Sequence, residues 1–337
     1  MARRRPRVLV LAGRDLFSSF FDRAAVRRLD RACLWTRKEG GTLTPGVRRR
    51  LAEAEALVTT WDSPRFGEDL PEIAPRLRLV AHCGGEVKGR FARPLFSRLT
   101  IANAPGPMAP YVAEMAVAFL LLAARRILEY RAALRRPSNS IYEDAHLHGC
   151  GRETLRDRTV GIVGMGRIGR TLVDLLEPFG PRLLVHDPYA DRGRAPRGLS
   201  FLPLARLLRE SEFLVLAAGL TDETRGMIDA RALASLPDGA TLVNVARGGL
   251  VDLRALTREV RRGRLRCALD VTDPDEPLPL RHPLRRLPGA VLTPHVAAGA
   301  VAVRHAMAGI VLDTLERSFR GERVPNRVNA AMLDRMT

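Results

Sequence analysis

Short apolar runs rich in aliphatic and β-branched residues alternate along the chain with segments of helical period. The runs 8–11, 56–60, 77–82 and 101–103 have strand length, and between them segments such as 47–55 repeat their apolar positions as one face of a helix does. This alternation predicts parallel strands covered by helices. A long amphipathic helix is predicted from about Pro110 to Leu134. Its proline falls in the first turn, where no N–H is needed, and Glu114 stands near its positive end. The polar stretch 137–158 reads as a connecting loop. A second α/β series begins at Thr159 and alternates up to Pro294; the segment 300–320 then reads as another helix, with nothing after it to form a third domain.

Composition narrows the class. A chain of 337 residues, 46% hydrophobic and only 5% aromatic, has aliphatic material for two cores of ordinary size. The longest apolar stretch, 115–124, is closed off by Glu114 and Arg125 and falls well short of a membrane span. Arg3, Arg4, Arg5 and Arg7 imitate a signal peptide, but the apolar run behind them stops at Gly13-Arg14-Asp15, so it is read as a first strand. Cys33, Cys83, Cys150 and Cys267 are far apart with no paired ligand spacing; no metal site, no disulfide and a cytoplasmic setting are expected. The net charge of +18 is almost all arginine, with lysine only at Lys38 and Lys88. Because the arginines fall in scattered doublets (125–126, 135–136, 261–262 and 285–286), they are read as solvated helix faces. No nucleic-acid or membrane partner is expected, but the positive field draws in small anions.

The strongest local signal is Thr159-Val160-Gly161-Ile162-Val163-Gly164-Met165-Gly166-Arg167-Ile168-Gly169, followed by the helical run 170–176. A strand leading through GxGxxG into a helix lets backbone N–H groups and the helix N-terminus hold a pyrophosphate. Gly164 serves the tight turn, Gly166 the approach of the cofactor, Gly169 the packing of helix on strand. A second strand, 183–186, ends at Asp187, eighteen residues past Gly169, where an acid binds the ribose 2′-hydroxyl. NAD is therefore expected. Arg192 and Arg194 nearby keep NADP as the alternative cofactor, and a turn residue before Pro188 is the plain alternative for Asp187.

Three later strand ends carry charge. The run 241–245 stops at Ala246-Arg247-Gly248-Gly249; 268–271 runs into Asp273-Pro274-Asp275-Glu276-Pro277-Leu278-Pro279; 291–293 ends at Pro294-His295. The carboxyl ends of sheet strands are where open α/β folds bind ligands. Singly, each has an ordinary explanation: an ion-paired arginine, a solvated glutamate, a core histidine.

Together these segments resemble the D-2-hydroxyacid dehydrogenase family, which includes phosphoglycerate dehydrogenases and glyoxylate/hydroxypyruvate reductases. Leu220-Thr221-Asp222-Glu223-Thr224-Arg225-Gly226-Met227-Ile228 is similar to the family's segment after the fifth cofactor-domain strand. The stretch 79–87, with Gly84-Gly85-Glu86-Val87, looks like its substrate loop, and Ala102-Asn103-Ala104-Pro105-Gly106 like its crossover strand. The resemblance implies an α/β fold of two doubly wound parallel-sheet domains, a Rossmann NAD-binding domain inserted into a flavodoxin-like substrate domain. The substrate domain would comprise 1–104 and the returning segment 299–337, with 105–298 as the NAD-binding domain. It implies an oxidoreductase acting on a small anionic 2-keto or 2-hydroxy acid. In that scheme Arg247 binds substrate carboxylate and carbonyl, His295 is the acid/base and Glu276 tunes it. Gly84, Gly85 and Val87 offer further contacts to the substrate carboxylate. Gly164, Gly166, Arg167, Ile168, Gly169, Asp187, Ala218, Thr224, Ala246 and Asp270 contact the cofactor. A homodimer through the cofactor domain and the long helix is also implied.

The chain departs from the family in places. Ala218-Gly219 stand where a proline is common, and Glu86 and Lys88 replace the usual acid after the substrate-loop glycines. The turn after Asp270 is one residue longer, so Asp275 rivals Glu276 as the partner of His295. Trp61 either shapes the substrate pocket or packs in the core. Two other classes remain as alternatives: a cofactor-sensing scaffold or corepressor on the same fold, and a nucleic-acid-binding protein using the arginines.

Overall fold

The computed structural model describes residues 4–135, 140, 143, 147, 153–196 and 198–336. Cys150, Arg136 and most of the 137–158 stretch lie outside the described residues, as does the side chain of Arg194. The chain divides into two units, one formed by Met1–Met108 with Gly299–Thr337 and the other by Ala109–Ala298.

In the first unit, β1 (Arg7–Leu11), β2 (Leu34–Lys38), β3 (Ala56–Thr59), β4 (Leu79–His82) and β5 (Thr100–Asn103) pair in parallel in the order β5-β4-β3-β1-β2. The order reverses between β1 and β3, the doubly wound arrangement of flavodoxin-like sheets. In the second unit, β6 (Thr159–Val163), β7 (Arg182–His186), β8 (Ser200–Phe201), β9 (Phe213–Leu216), β10 (Thr241–Asn244), β11 (Arg266–Leu269) and β12 (Ala290–Leu292) are parallel in the order β12-β11-β10-β9-β6-β7-β8. This is the Rossmann order, with its switch point between β6 and β9. β3, β4, β6, β9 and β10 are buried along their whole length, which is why their sequences read as unbroken apolar runs rather than alternating ones. The second core joins Ile162, Val185, Val215 and Val243 on one face of the sheet to Val112, Ala116 and Leu120 of the helix Met108–Ala124.

The fold departs from the expected elements in three places. The helix expected over 110–134 is two helices, Met108–Ala124 and Ile127–Ala133, separated at Arg126, whose φ is 50°. A left-handed arginine is costly; here its guanidinium is tied to Glu129 and Glu153. The apolar period continues across the break, so it left no trace in the pattern. β2 was not foreseen because it is the sheet edge, half-covered and carrying Arg37 and Lys38. A short final strand, β13 (Arg327–Val328), lies antiparallel to β5, so the first sheet is not wholly parallel.

Three cysteines, Cys33, Cys83 and Cys267, are free and buried. Among the described residues no helix is long and apolar enough to cross a membrane.

At the end of β4, His82 is 1% exposed. Its Nδ1 is 2.9 Å from the hydroxyl of Thr59, its register partner on β3. Burial, helped by nearby Arg90, pushes its pKa from 6.5 down to about 3. The unfolded chain therefore takes up a proton at this position that the folded chain refuses, and stability drains away as pH falls from about 6.5 toward about 3. The expected result is that His82→Gln has a shallower loss of stability over that window than the parent, by the slope of a single proton, in denaturant titrations at stepped pH. Parallel slopes would mean that His82 is protonated in the folded chain.

Candidate active site

The glycine loop after β6 is shaped by contacts that exclude side chains. Gly164 has φ 99°, and a Cβ there would lie 2.6 Å from the backbone nitrogen of Ala218; a Cβ on Gly169 would lie 2.1 Å from the Gly164 carbonyl oxygen. A Cβ on Gly166, by contrast, would meet nothing within 4 Å. The loop is thus pressed tightly against the β9 end and the helix Arg167–Leu176, yet open above Gly166. Among the described residues no side chain caps that helix, which leaves the N–H groups of its first turn, including those of Arg167 and Ile168, without a side-chain acceptor at the positive end of the helix. Open space over a helix N-terminus fits a dinucleotide pyrophosphate.

At the end of β7, the half-buried carboxylate of Asp187 accepts hydrogen bonds from the N–H groups of Met165 (2.7 Å) and Tyr189 (2.9 Å). Arg192 is stacked over Phe201 at 5.2 Å. In the turn after β9, the Thr224 hydroxyl donates to the Gly219 carbonyl and accepts from the Thr221 N–H. Both roles hold the turn itself in shape.

The three charged strand ends follow β10, β11 and β12, which are neighbours in the sheet. Asn244, 1% exposed at the end of β10, receives the Ala246 N–H on its side-chain oxygen (3.0 Å) and donates its amide to the Arg247 carbonyl (2.9 Å). It therefore sets the backbone from which Arg247 projects. Arg247 in turn donates from Nη1 to the Ala246 carbonyl at 2.7 Å. A Cβ on Gly248 would lie 2.1 Å from the Thr272 carbonyl carbon, so the arginine turn sits directly on the turn that carries Glu276.

His295 Nδ1 is 2.9 Å from Glu276 Oε2, with the two side chains 48% and 35% exposed. Glu276 Oε1 accepts the Thr272 N–H at 3.2 Å. Among the described residues Asp275 contributes only its carbonyl, to the Thr272 hydroxyl, so Glu276 rather than Asp275 faces the histidine. His295 has φ 55°, a left-handed backbone that needs outside support. Asp270 provides it. Its carbonyl accepts the His295 N–H, and its carboxylate, 1% exposed, accepts the Thr293 hydroxyl and the N–H groups of Val296 (2.9 Å) and Ala297 (3.0 Å). Both Asp270 oxygens are thus taken up by the histidine loop, whereas the family resemblance implied a contact to the cofactor. Asn244 was likewise missed; its only signal was an amide two residues before the Ala246-Arg247 pair.

In the first unit, the loop after β4 is fixed by the Asn103 side chain, which donates to the Gly85 carbonyl at 2.6 Å, and by the Ala104 N–H, which donates to the Gly84 carbonyl at 2.8 Å. The N–H groups of Gly85, Glu86 and Val87 reach no protein acceptor among the described residues, while the Val87 side chain is buried. Trp61 is 40% exposed; its ring packs edge-on against Phe20, and the Arg304 guanidinium lies over it at 5.2 Å. It is a packed aromatic with one open edge.

Residues 117–297 match the model for the NAD binding domain of D-isomer specific 2-hydroxyacid dehydrogenases. The chain belongs to that family. As a member it is an oxidoreductase, and its Ala109–Ala298 unit contains the family's NAD-binding domain. This dehydrogenase is 34% identical over 288 residues to the glyoxylate reductase of Korarchaeum cryptofilum, covering 83% of this chain and 84% of that one. It is also 34% identical over 284 residues to the D-3-phosphoglycerate dehydrogenase of Mycobacterium leprae, but there it spans only 51% of the relative's length. A crystal structure of a Thermus thermophilus protein superposes with a TM-score of 0.79 at 31% identity, over 96% of this chain and 99% of that one. The NADPH-dependent glyoxylate/hydroxypyruvate reductase of Sinorhizobium meliloti shares the fold, with a TM-score of 0.76 at 24% identity over 97% and 98% of the two chains.

Proposed function

We propose that this dehydrogenase interconverts a small D-2-hydroxy acid and its 2-keto acid with NAD as the hydride carrier. The single observation that carries this reading is the His295–Glu276 contact at 2.9 Å, on strand ends adjacent to the one carrying Arg247. A protein that only sensed the cofactor has no need of it. Bound NADH supplies the hydride; the chain's own residues supply charge, orientation and the proton. Arg247 grips the substrate carboxylate and keto oxygen with its planar fork. As the keto oxygen gains negative charge, His295 delivers a proton to it from Nε2, and in the oxidative direction takes it back. Glu276, bonded to Nδ1, keeps the ring's other nitrogen turned to the substrate and stabilises the imidazolium. Asp270 holds the loop that carries His295.

Toward the cofactor, Gly164, Gly166, Arg167, Ile168 and Gly169 would receive the pyrophosphate and Asp187 the ribose hydroxyls, while Ala218, Thr224 and Ala246 would line the groove. The carboxylate of Asp187 and the engagement of Arg192 by Phe201 support NAD over NADP. The N–H groups of Gly85, Glu86 and Val87, which have no acceptor among the described residues, make the Gly84–Val87 loop a second anion-binding element, suited to a carboxylate. The names of relatives at 32–34% identity support glyoxylate or hydroxypyruvate as substrates. Half-buried apolar Met115, Val117 and Leu121 on the helix Met108–Ala124 support a homodimer, and the free, buried thiols of Cys33, Cys83 and Cys267 support a cytoplasmic setting. The test is stereochemical: hydroxypyruvate reduced by NADH on this protein yields only the D-isomer by chiral chromatography. A racemate or the L-isomer would overturn the reading.

A further inference from the structure

One contact between the loops after β7 and β9 has no part in the chemistry just described. Tyr189 follows the end of β7 and is 59% exposed. Its hydroxyl donates to Glu223 Oε2 at 2.6 Å, the length of a charge-assisted bond. Glu223 belongs to the turn after β9, which is pinned by Thr224 to the Gly219 carbonyl and by the Gly226 N–H to the Gly249 carbonyl. At the other end, the Tyr189 N–H is fixed to Asp187, and Asp187 to the Met165 N–H inside the glycine loop. In the sheet order β9-β6-β7, β6 lies between the two strands whose loops are joined. The Tyr189–Glu223 bond therefore joins the loops on either side of the carboxyl end of β6, where the Gly164–Gly169 loop begins, with both ends anchored.

Resting on the cofactor reading given above, we propose that the Tyr189–Glu223 bond is a bar across the adenosine half of the cofactor groove, which must open for the cofactor to enter or leave. A ligand with its pyrophosphate at Gly166 and its ribose at Asp187 has to pass beneath this bond. The phenol is exposed, and its acceptor stands on a turn already held by other bonds. Both ends of the bar are anchored by the protein itself, so the bond re-forms once the cofactor is seated beneath it. It therefore contributes equally to the free and the loaded protein. Breaking it lowers the barrier in both directions and leaves the equilibrium unchanged.

The test is stopped-flow fluorescence of NADH binding to the full chain, for wild type, Tyr189→Phe and Glu223→Ala. Both variants are expected to raise the association and dissociation rates about tenfold together, with Kd within about twofold of wild type and a melting temperature lowered by no more than about 3 °C. Unchanged rates would overturn the bar. So would faster dissociation alone with a weaker Kd, since Tyr189 would then be a contact of the bound cofactor and not a barrier to it. A wild-type chain that binds no NADH would overturn the cofactor reading itself, and the bar with it.

Discussion

His295→Asn lowers kcat for keto-acid reduction by about a thousandfold or more, at the upper end of what a positioned acid/base group contributes, while NADH still binds. Asparagine is the informative replacement because His295 has φ 55°, and asparagine accepts left-handed backbone better than most residues. The Asp270 bonds to Val296 and Ala297 are made by backbone N–H groups and survive the change. The loop therefore keeps its course and only the proton carrier is lost. Steady-state kinetics, with NADH affinity from fluorescence, separate the two effects. If kcat stays within about tenfold of the parent, the proton comes from elsewhere and the role given to His295 is wrong.

Arg247→Lys keeps the charge and removes the fork. It lowers kcat/KM for the 2-keto acid by about two to three orders of magnitude, the worth of a pair of charge-assisted bonds. Lysine presents a point charge on a flexible stem and cannot hold carboxylate and carbonyl oxygen in one plane. The Asn244 bonds to the Ala246 N–H and the Arg247 carbonyl are backbone contacts that outlast the Nη1 bond to the Ala246 carbonyl lost with the guanidinium, so NADH affinity and melting should stay close to the parent's. Activity retained in the lysine variant would mean that the substrate is held by charge alone.

What the sequence disclosed depended on how local the cause was. The glycine loop and Asp187 lie on one strand–turn–helix–strand stretch, and their steric requirements are written in adjacent residues. The buried parallel strands were visible as apolar runs because both their faces are covered. β2 and β13 were not, since an edge strand needs only one apolar face and a two-residue strand has no pattern at all. The break at Arg126 is settled by Glu129 and by Glu153, far along the chain, and the helical period runs through it undisturbed. At the site, the residue types at the three strand ends were readable, but the bonds between them were not. The choice of Glu276 over Asp275 follows from the way Thr272 ties the turn, through its N–H to Glu276 and its hydroxyl to the Asp275 carbonyl. Asp270 meets its donors only where the β11 and β12 ends come together, so its place beneath the histidine loop emerges only from the folded sheet.

The central claim, that this chain transfers hydride between NADH and a small 2-keto acid, is tested most directly by mixing the purified protein with NADH and glyoxylate, hydroxypyruvate, pyruvate or bulkier 2-keto acids. Loss of NADH absorbance and the 2-hydroxy acid formed are then measured together. The account predicts that NADH disappears in equal amount to the hydroxy acid produced, fastest with the small keto acids. Tight NADH binding with no oxidation by any keto acid would contradict it and leave the fold as a cofactor-binding scaffold.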